Sequence, residues 1–228
     1  MQQIPLDFAP VHRPTLDNFV VGANAEVVTT LRAWLAGSVA ERCICLWGLP
    51  GSGKSHLLRA VVAQLQEAGV PASYAGEGDA LPASEDAVGV LAIDAIDALD
   101  ATAQARLFTL LNAAAQGELR LLLAAGNAPV ALALREDVRT RVALGLVLQV
   151  RPLSDEEKRE ALAAHAHARS FELPAEVVDY LLVHGQRDLP SLLALLDALD
   201  RYSLQMKRPV SLPLMREVLE HSRSRRNA

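Results

Sequence analysis

Residues Gly48 to Ser55 read Gly-Leu-Pro-Gly-Ser-Gly-Lys-Ser, a match to the G-x-x-x-x-G-K-[ST] phosphate loop. The glycines let the backbone curl until successive N–H groups face one point. The helix that follows adds its positive N-terminal end, so the loop is built to receive phosphate oxygens. Lys54 is placed to reach the β/γ-phosphates, and the Ser55 hydroxyl to complete the coordination of a Mg²⁺ that bridges them. Four specified positions at average usage arise by accident in about one percent of chains of this length. The flanks also fit: Cys43 to Trp47 is a five-residue apolar strand candidate, and the residues from Lys54 onward carry helical periodicity. The motif therefore demands a strand, a glycine loop and a helix in immediate succession, which only an α/β architecture supplies.

Strands and helices alternate through the first two thirds of the chain. Lys54 to Glu67 is predicted as a helix with Leu57, Leu58, Val61, Val62 and Leu65 on one face, and Ala72 to Ala75 as a short strand. A polar loop over Gly76 to Asp86 precedes a buried strand over Val88 to Asp94. Ala101 to Gln116 is a helix with Leu107, Leu110 and Leu111 inward, Leu119 to Ala125 a strand, and Leu146 to Val150 the strand that closes the sheet. Near-continuous apolar strands separated by helices predict a parallel sheet covered on both faces. Beyond Pro152 every periodic segment is helical. Ser154 and Glu157 form a capping box that opens a helix to about Arg169, and Pro174 in a first turn starts a second that ends near Gly185. Asp188 to Met206 and Ser211 to Ser222 complete a four-helix unit. The predicted organisation is an extended segment over residues 1–14, an α/β domain over 15–151 and a small all-helical domain over 152–228.

Composition narrows the class. The 228 residues are 51% hydrophobic with a net charge of −5, and no apolar run approaches the roughly 18 residues that span a bilayer. A cytoplasmic protein without a membrane partner is expected. The acidic balance speaks against strong nonspecific DNA binding. Cys43 and Cys45 are the only cysteines, two apart on one strand and pointing the same way, which leaves neither a disulfide framework nor a metal cluster. His165 and His167 face about 200° apart on a helix and read as two solvated side chains.

Val90-Leu91-Ala92-Ile93-Asp94 places an aspartate at the C-terminal end of a strand, where a Mg²⁺-associated acid belongs. A phosphate loop, this acid and a helical lid together resemble the AAA+ family. Its active members usually carry a second acid next, which orients the attacking water. Here the residue is Ala95, and Asp97, three positions after Asp94, reads as a turn or cap residue. The resemblance therefore implies nucleotide binding without brisk hydrolysis. It narrows to the bacterial replication initiator DnaA and its relatives on four further segments. Leu16 to Gly22 with Asn24 is similar to the segment that begins their nucleotide domain and lines the base pocket. Asn127 is similar to the polar first sensor. Val138 to Leu146 resembles the motif carrying the arginine finger, which alignment on Gly145-Leu146 places at Arg141, and Arg187 resembles the second sensor. By this resemblance the nucleotide-binding set is Phe19, Val20, Val21, Gly48, Pro50, Gly51, Ser52, Gly53, Lys54, Ser55 and His56, with Ser55 and Asp94 at the Mg²⁺.

Departures from the initiator matter equally. The chain stops at Ala228 after four lid helices, leaving no room for the initiator's helix-turn-helix domain, so sequence-specific DNA binding is not expected. Gly76 to Asp86 is too short for the helix with which initiators hold single strands. What remains resembles the stand-alone regulatory branch, Hda, whose members inactivate the initiator. Gln3-Ile4-Pro5-Leu6-Asp7-Phe8 fits the Gln-x-x-Leu-x-Phe pattern that docks on the bacterial sliding clamp, with Gln3, Ile4, Leu6 and Phe8 as contacts and Leu6 and Phe8 as apolar anchors. The resemblance implies a regulator that binds the clamp and ADP or ATP, with ADP expected, and stimulates hydrolysis of DnaA-bound ATP through Arg141. A self-contained ATPase of the helicase-loader kind, a clamp adaptor stapled by nucleotide, and a homo-oligomer stay open at this point.

Overall fold

The computed structural model describes residues 13–185 and 188–226, with side chains described to residue 219. They divide between two compact units, one over Arg13–Pro152 and one beginning at Leu153. The first holds helix α1 (Ala25–Leu35), strand β1 (Cys43–Trp47), α2 (Lys54–Glu67), β2 (Ala72–Ala75), β3 (Gly89–Ile93), α3 (Ala101–Gln116), β4 (Leu119–Ala125), α4 (Glu136–Ala143) and β5 (Leu146–Gln149). The five strands form one parallel sheet in the order β2-β3-β4-β1-β5.

The sheet's two faces follow from the two-residue period of its strands. On one side Ile44, Leu46, Val90, Ala92, Leu122 and Ala124 pack against Val27, Leu31 and Trp34 of α1 and Leu57, Leu58 and Val61 of α2. On the other, Cys45, Leu91, Ile93, Leu121 and Leu123 pack against Leu107, Leu110 and Leu111 of α3 and Val138 and Val142 of α4. With both faces covered, β1 and β3 read as uninterrupted apolar runs, and β4 departs from one only at Arg120. Cys43 and Cys45 are free thiols, and burial pushes both up to about 12, where they stay protonated and inert.

The described part of the second unit is a helical bundle of α5 (Asp155–Ala168), α6 (Ala175–His184), α7 (Leu189–Met206) and α8 (Leu212–Arg226). The capping box is present: Glu157 N–H donates to Ser154 Oγ at 3.2 Å and Ser154 N–H donates to Glu157 Oε2 at 2.7 Å. Leu162, Val177, Leu181, Leu196, Leu199, Leu214 and Val218 form the core.

Several expectations need correcting. Helices α1 and α4 were not anticipated. The first is signalled by Val27, Val28, Leu31 and Trp34 at helical spacing, whereas α4 buries only Val138 and Val142 of its eight residues and leaves almost no periodicity to read. The third strand begins at Gly89, because Val88 is 65% exposed, and Asp94 stands just past its end. Pro174 is the N-cap of α6 with an extended backbone, not a first-turn residue. His165 is not solvated: its Nε2 lies 2.6 Å from Oδ1 of Asp197, a carboxylate only 2% exposed that also pairs with Arg169 Nε at 3.1 Å. A buried charge requires such partners, and Asp197 lies outside the helix on which the two histidines were judged.

Asn24, 2% exposed, closes the first unit on itself. Its Nδ2 donates to Arg151 O at 2.9 Å, and its Oδ1 accepts Arg151 N–H at 2.8 Å. Asn24→Ala takes the partner from both Arg151 backbone groups at a part-buried position. The expected loss is about 2–3 kcal/mol of unfolding free energy by urea denaturation, against a change within about 0.5 kcal/mol for an exposed control such as Glu77→Gln.

Candidate functional site

β1 runs out of the sheet at Trp47 into the glycine loop. Gly48 N–H donates to Ala125 O at 3.2 Å, and a β-carbon at Gly48 would stand 2.1 Å from Val150 O, so the loop starts with its backbone pressed against the strand beside it. Gly53 closes the loop as the N-cap of α2 with φ of +97°, and a β-carbon there would meet Phe19 Cε2 at 2.6 Å. Only glycine satisfies both constraints. Between them Ser52 is 5% exposed, and its hydroxyl has no hydrogen-bond partner among the described residues. The Lys54 ammonium donates to Gly48 O at 2.6 Å and Leu49 O at 3.0 Å, folded over the loop it follows.

The segment ahead of α1 is brought to this loop. Phe19 is buried and packs over Gly53, with its ring centroid 5.6 Å from that of His56. His56 Nε2 lies 2.9 Å from Thr15 O, an acceptor, so this nitrogen carries the proton. Val20 is half-buried and Val21 is exposed at 36%. Pro50 and Gly51 are exposed at the loop's outer turn, and Ser55 is exposed in the first turn of α2. Phe19 and His56 are thus assembled on the phosphate loop from positions 37 residues apart in the sequence.

The acidic side of the site comes from the neighbouring strands. Asp94, 9% exposed, accepts the Tyr74 hydroxyl on Oδ2 at 2.8 Å and the Ala95 N–H on Oδ1 at 2.9 Å. Ala95 has φ of 47°, a left-handed turn for a non-glycine residue, which swings the chain away sharply after the acid. Asp97 sits in the short helical turn that follows, and its Oδ1 accepts the Gly126 N–H at 3.1 Å. It ties the end of β3 to the end of β4, one residue before the exposed Asn127. Burial lowers the Lys54 ammonium from its ordinary value, and the carboxylates of Asp94 and Asp97 oppose that shift, so the three charges converge on one place.

Arg141 lies elsewhere. It is on α4 with its guanidinium 4.9 Å over the Phe108 ring, in a cleft of about 800 Å³ lined also by Arg135, Glu136, Asp137, Thr140 and Leu144. A smaller recess joins Arg141 to Glu41, Arg42 and Cys43, at the start of β1, whereas Lys54 follows its end. A strand of this length alone separates those ends by about 13 Å. Gln3, Ile4, Leu6, Phe8 and Arg187 fall outside the described residues.

The residues near Lys54 fit a nucleotide phosphate. Convergent backbone donors at a helix N-terminus, a lysine, an orphaned buried hydroxyl and two glycines without room for a β-carbon are what an anion held by backbone requires. Ser55 and Asp94 are the residues that would hold a Mg²⁺, a cation that takes few protein ligands and keeps its waters. Among the described residues no group of three or more His, Cys, Asp or Glu is arranged to hold a metal ion by protein ligands alone. Sequence reasoning missed Tyr74 and the Asp97–Gly126 link, because both depend on strand register and not on any local motif.

Residues 155–219 match the family model described as Hda, lid domain. The chain is similar to domain III of the Thermotoga maritima replication initiation protein DnaA at 21% identity, with a TM-score of 0.74, covering 91% of this chain and 95% of that one. It is similar to the replication initiator DnaA bound to AMPPCP and single-stranded DNA at 21% identity and a TM-score of 0.69, over 84% of this chain and 66% of that one. A Thermotoga maritima RuvB variant is similar at 18% identity and a TM-score of 0.66, over 94% and 73%. The chain spans 66% of the length of the first two initiation-factor structures it matches. The fold of the parallel-sheet unit is similar to that of the DnaA and RuvB structures, and the residues that follow it match the Hda lid model. No helix among the described residues is long and apolar enough to cross a membrane.

His56 supplies a pH test of this architecture. Burial lowers its imidazole below the ordinary 6.5, outweighing the hydrogen bond to Thr15. A depressed folded-state value means that the site favours the neutral ring. Its contribution to stability is complete above pH 6.5 and is lost as the pH falls through the folded-state value. His56→Gln is therefore expected to flatten the decline in stability as the pH falls below 6.5, read by urea denaturation at a series of pH values. An unchanged slope would place the titration elsewhere.

Proposed function

We propose that this chain, an Hda-like and DnaA-related AAA+ protein, is a regulator of replication initiation that binds an adenine nucleotide, docks on the DNA polymerase sliding clamp and stimulates hydrolysis of ATP bound to DnaA. The observation that carries the reading is the separation of Arg141 from Lys54 at opposite ends of β1. An arginine there cannot reach a phosphate held at residues 48–55 of its own chain. It is available only to a nucleotide presented by another molecule.

Support for the nucleotide comes from the orphaned Ser52 hydroxyl and the glycine cradle, and from the AMPPCP bound by the similar initiator. Phe19, with Val20 and Val21 beside it, would take the base; Gly48 to Ser55 would take the phosphates; and His56 would brace Phe19 from the other side. When bound, Mg²⁺ would neutralise phosphate charge between Ser55 and Asp94. Hydrolysis by the chain itself is expected to be slow. Ala95 has no side chain that holds a water, and the Asp97 carboxylate is engaged by the Gly126 N–H. The nucleotide, ADP in this reading, is then structural, and Asn127 and Arg187 in their sensor positions respond to it without driving turnover.

Action on the partner falls to Arg141. Its planar, permanently charged fork suits the equatorial oxygens of a γ-phosphoryl group, and stacking on Phe108 holds the guanidinium at the cleft mouth. Charge stabilisation of this kind contributes on the order of 10³-fold or more in rate. Gln3, Ile4, Leu6 and Phe8 would bring the protein to clamp-loaded DNA and so raise its local concentration there.

The test is hydrolysis of ATP pre-bound to the cognate initiator in the presence of clamp-loaded DNA. The native protein is expected to accelerate it. Arg141→Ala should abolish the acceleration while leaving clamp binding intact, and Arg141→Lys should restore little, because a point charge does not replace the fork. Leu6→Ala with Phe8→Ala should remove the clamp dependence. Absence of acceleration despite clamp binding would turn the reading to an adaptor.

A further inference from the structure

We propose that Tyr74 is a positioning residue for the metal-associated carboxylate, fixing Asp94 by occupying one of its two oxygens; this rests on the nucleotide reading above. Tyr74 lies on β2, in register with Ala92 of β3, and Asp94 N–H donates to Ala75 O at 2.9 Å. The sheet therefore delivers the phenol to the acid from the adjacent strand. The hydroxyl donates to Asp94 Oδ2 at 2.8 Å, while the Ala95 N–H holds Oδ1. With one donor on each oxygen the carboxylate has a single orientation, and each oxygen keeps a further lone pair for a metal ion or for its water.

Arg59 completes the arrangement. It stands one helical turn after Ser55 on α2, so the two share a face. Its guanidinium lies 4.7 Å over the Tyr74 ring and donates to the Tyr74 hydroxyl at 3.3 Å. A cation on the phenol oxygen polarises its O–H, which strengthens the donation to Asp94. Arg59, Tyr74 and Asp94 thus form a line of side-chain contacts from α2 across β2 to the residue after β3, with Ser55 one turn before Arg59 on the same helix. A phenol keeps its proton over the physiological range and so remains a donor to the carboxylate. Partners that orient a ligand without touching the metal typically change metal affinity by 10–100-fold when removed.

Tyr74→Phe deletes only the hydroxyl and keeps the ring under Arg59. The probe is a fluorescent ADP, titrated against the full chain in EDTA and across a Mg²⁺ series. The Mg²⁺ concentration that gives half of the metal-dependent change in affinity is expected to rise about tenfold, and the affinity in EDTA to move by less than about twofold. In the Asp94→Asn background the same substitution should add nothing, since the hydroxyl acts through that carboxylate. Arg59→Gln should shift the midpoint in the same direction by less. An unchanged midpoint, or an equal loss with and without Mg²⁺, would overturn the proposal and leave nucleotide binding standing. Failure of the native chain to bind the probe at all would remove the nucleotide reading and this inference with it.

Discussion

The inner strand β1 is the constraint on which the rest depends. It is hydrogen-bonded to β4 on one side and β5 on the other, buried on both faces, and five residues long. A parallel sheet puts all its strand ends of one polarity on one edge, so the loops that follow β1, β3 and β4 gather there: Gly48 to Ser55, Asp94 with Ala95, and Gly126 with Asn127. The opposite edge collects what precedes the strands, including the Glu41 to Cys43 approach and the end of α4. The separation of a phosphate site from an arginine-lined cleft is a consequence of strand polarity and needs no additional device.

The phosphate edge is held at three levels. Backbone contact comes first, where Gly48 approaches Val150 and Gly53 approaches Phe19 too closely for any β-carbon. Side chains then clamp the backbone: Asn24 bridges to Arg151, and Asp97 bridges to Gly126. Last, aromatic side chains orient the ionisable ones, with Phe19 beside His56 and Tyr74 on Asp94. Each level spends conformational freedom before any ligand arrives, which lowers the entropic cost of binding.

Much of this was legible in the sequence, and the limits of legibility are physical. The phosphate loop announced its own strand and helix, and Cys43–Trp47, Lys54–Glu67, Ala72–Ala75, Ala101–Gln116 and Leu119–Ala125 have the bounds that apolar periodicity gives. Elements that bury little are harder to see. Helix α4 shows two apolar residues to the core, and its polar remainder resembles a loop until Val138 and Val142 are known to face α3. Contacts made across register are invisible to local reading. Tyr74 and Asp94 are 20 residues apart, and Asp97 and Gly126 are 29 apart. The same holds for His165, whose burial comes from Asp197 on another helix, 32 residues away.

The acidic pair is held in two different ways in this frame. Asp94 stands just past the end of β3 with a donor on each oxygen, and position 95 turns through a left-handed conformation with only a methyl group for a side chain. Asp97 carries the same charge, felt by Lys54, and its Oδ1 accepts the Gly126 N–H, which fixes the carboxylate against the backbone one residue before Asn127. Strand polarity thus sets Lys54 and Asp94 at one edge of the sheet and the cleft that holds Arg141 at the other, because Lys54 follows the end of β1 while Arg141 lies beside the residues that precede its start.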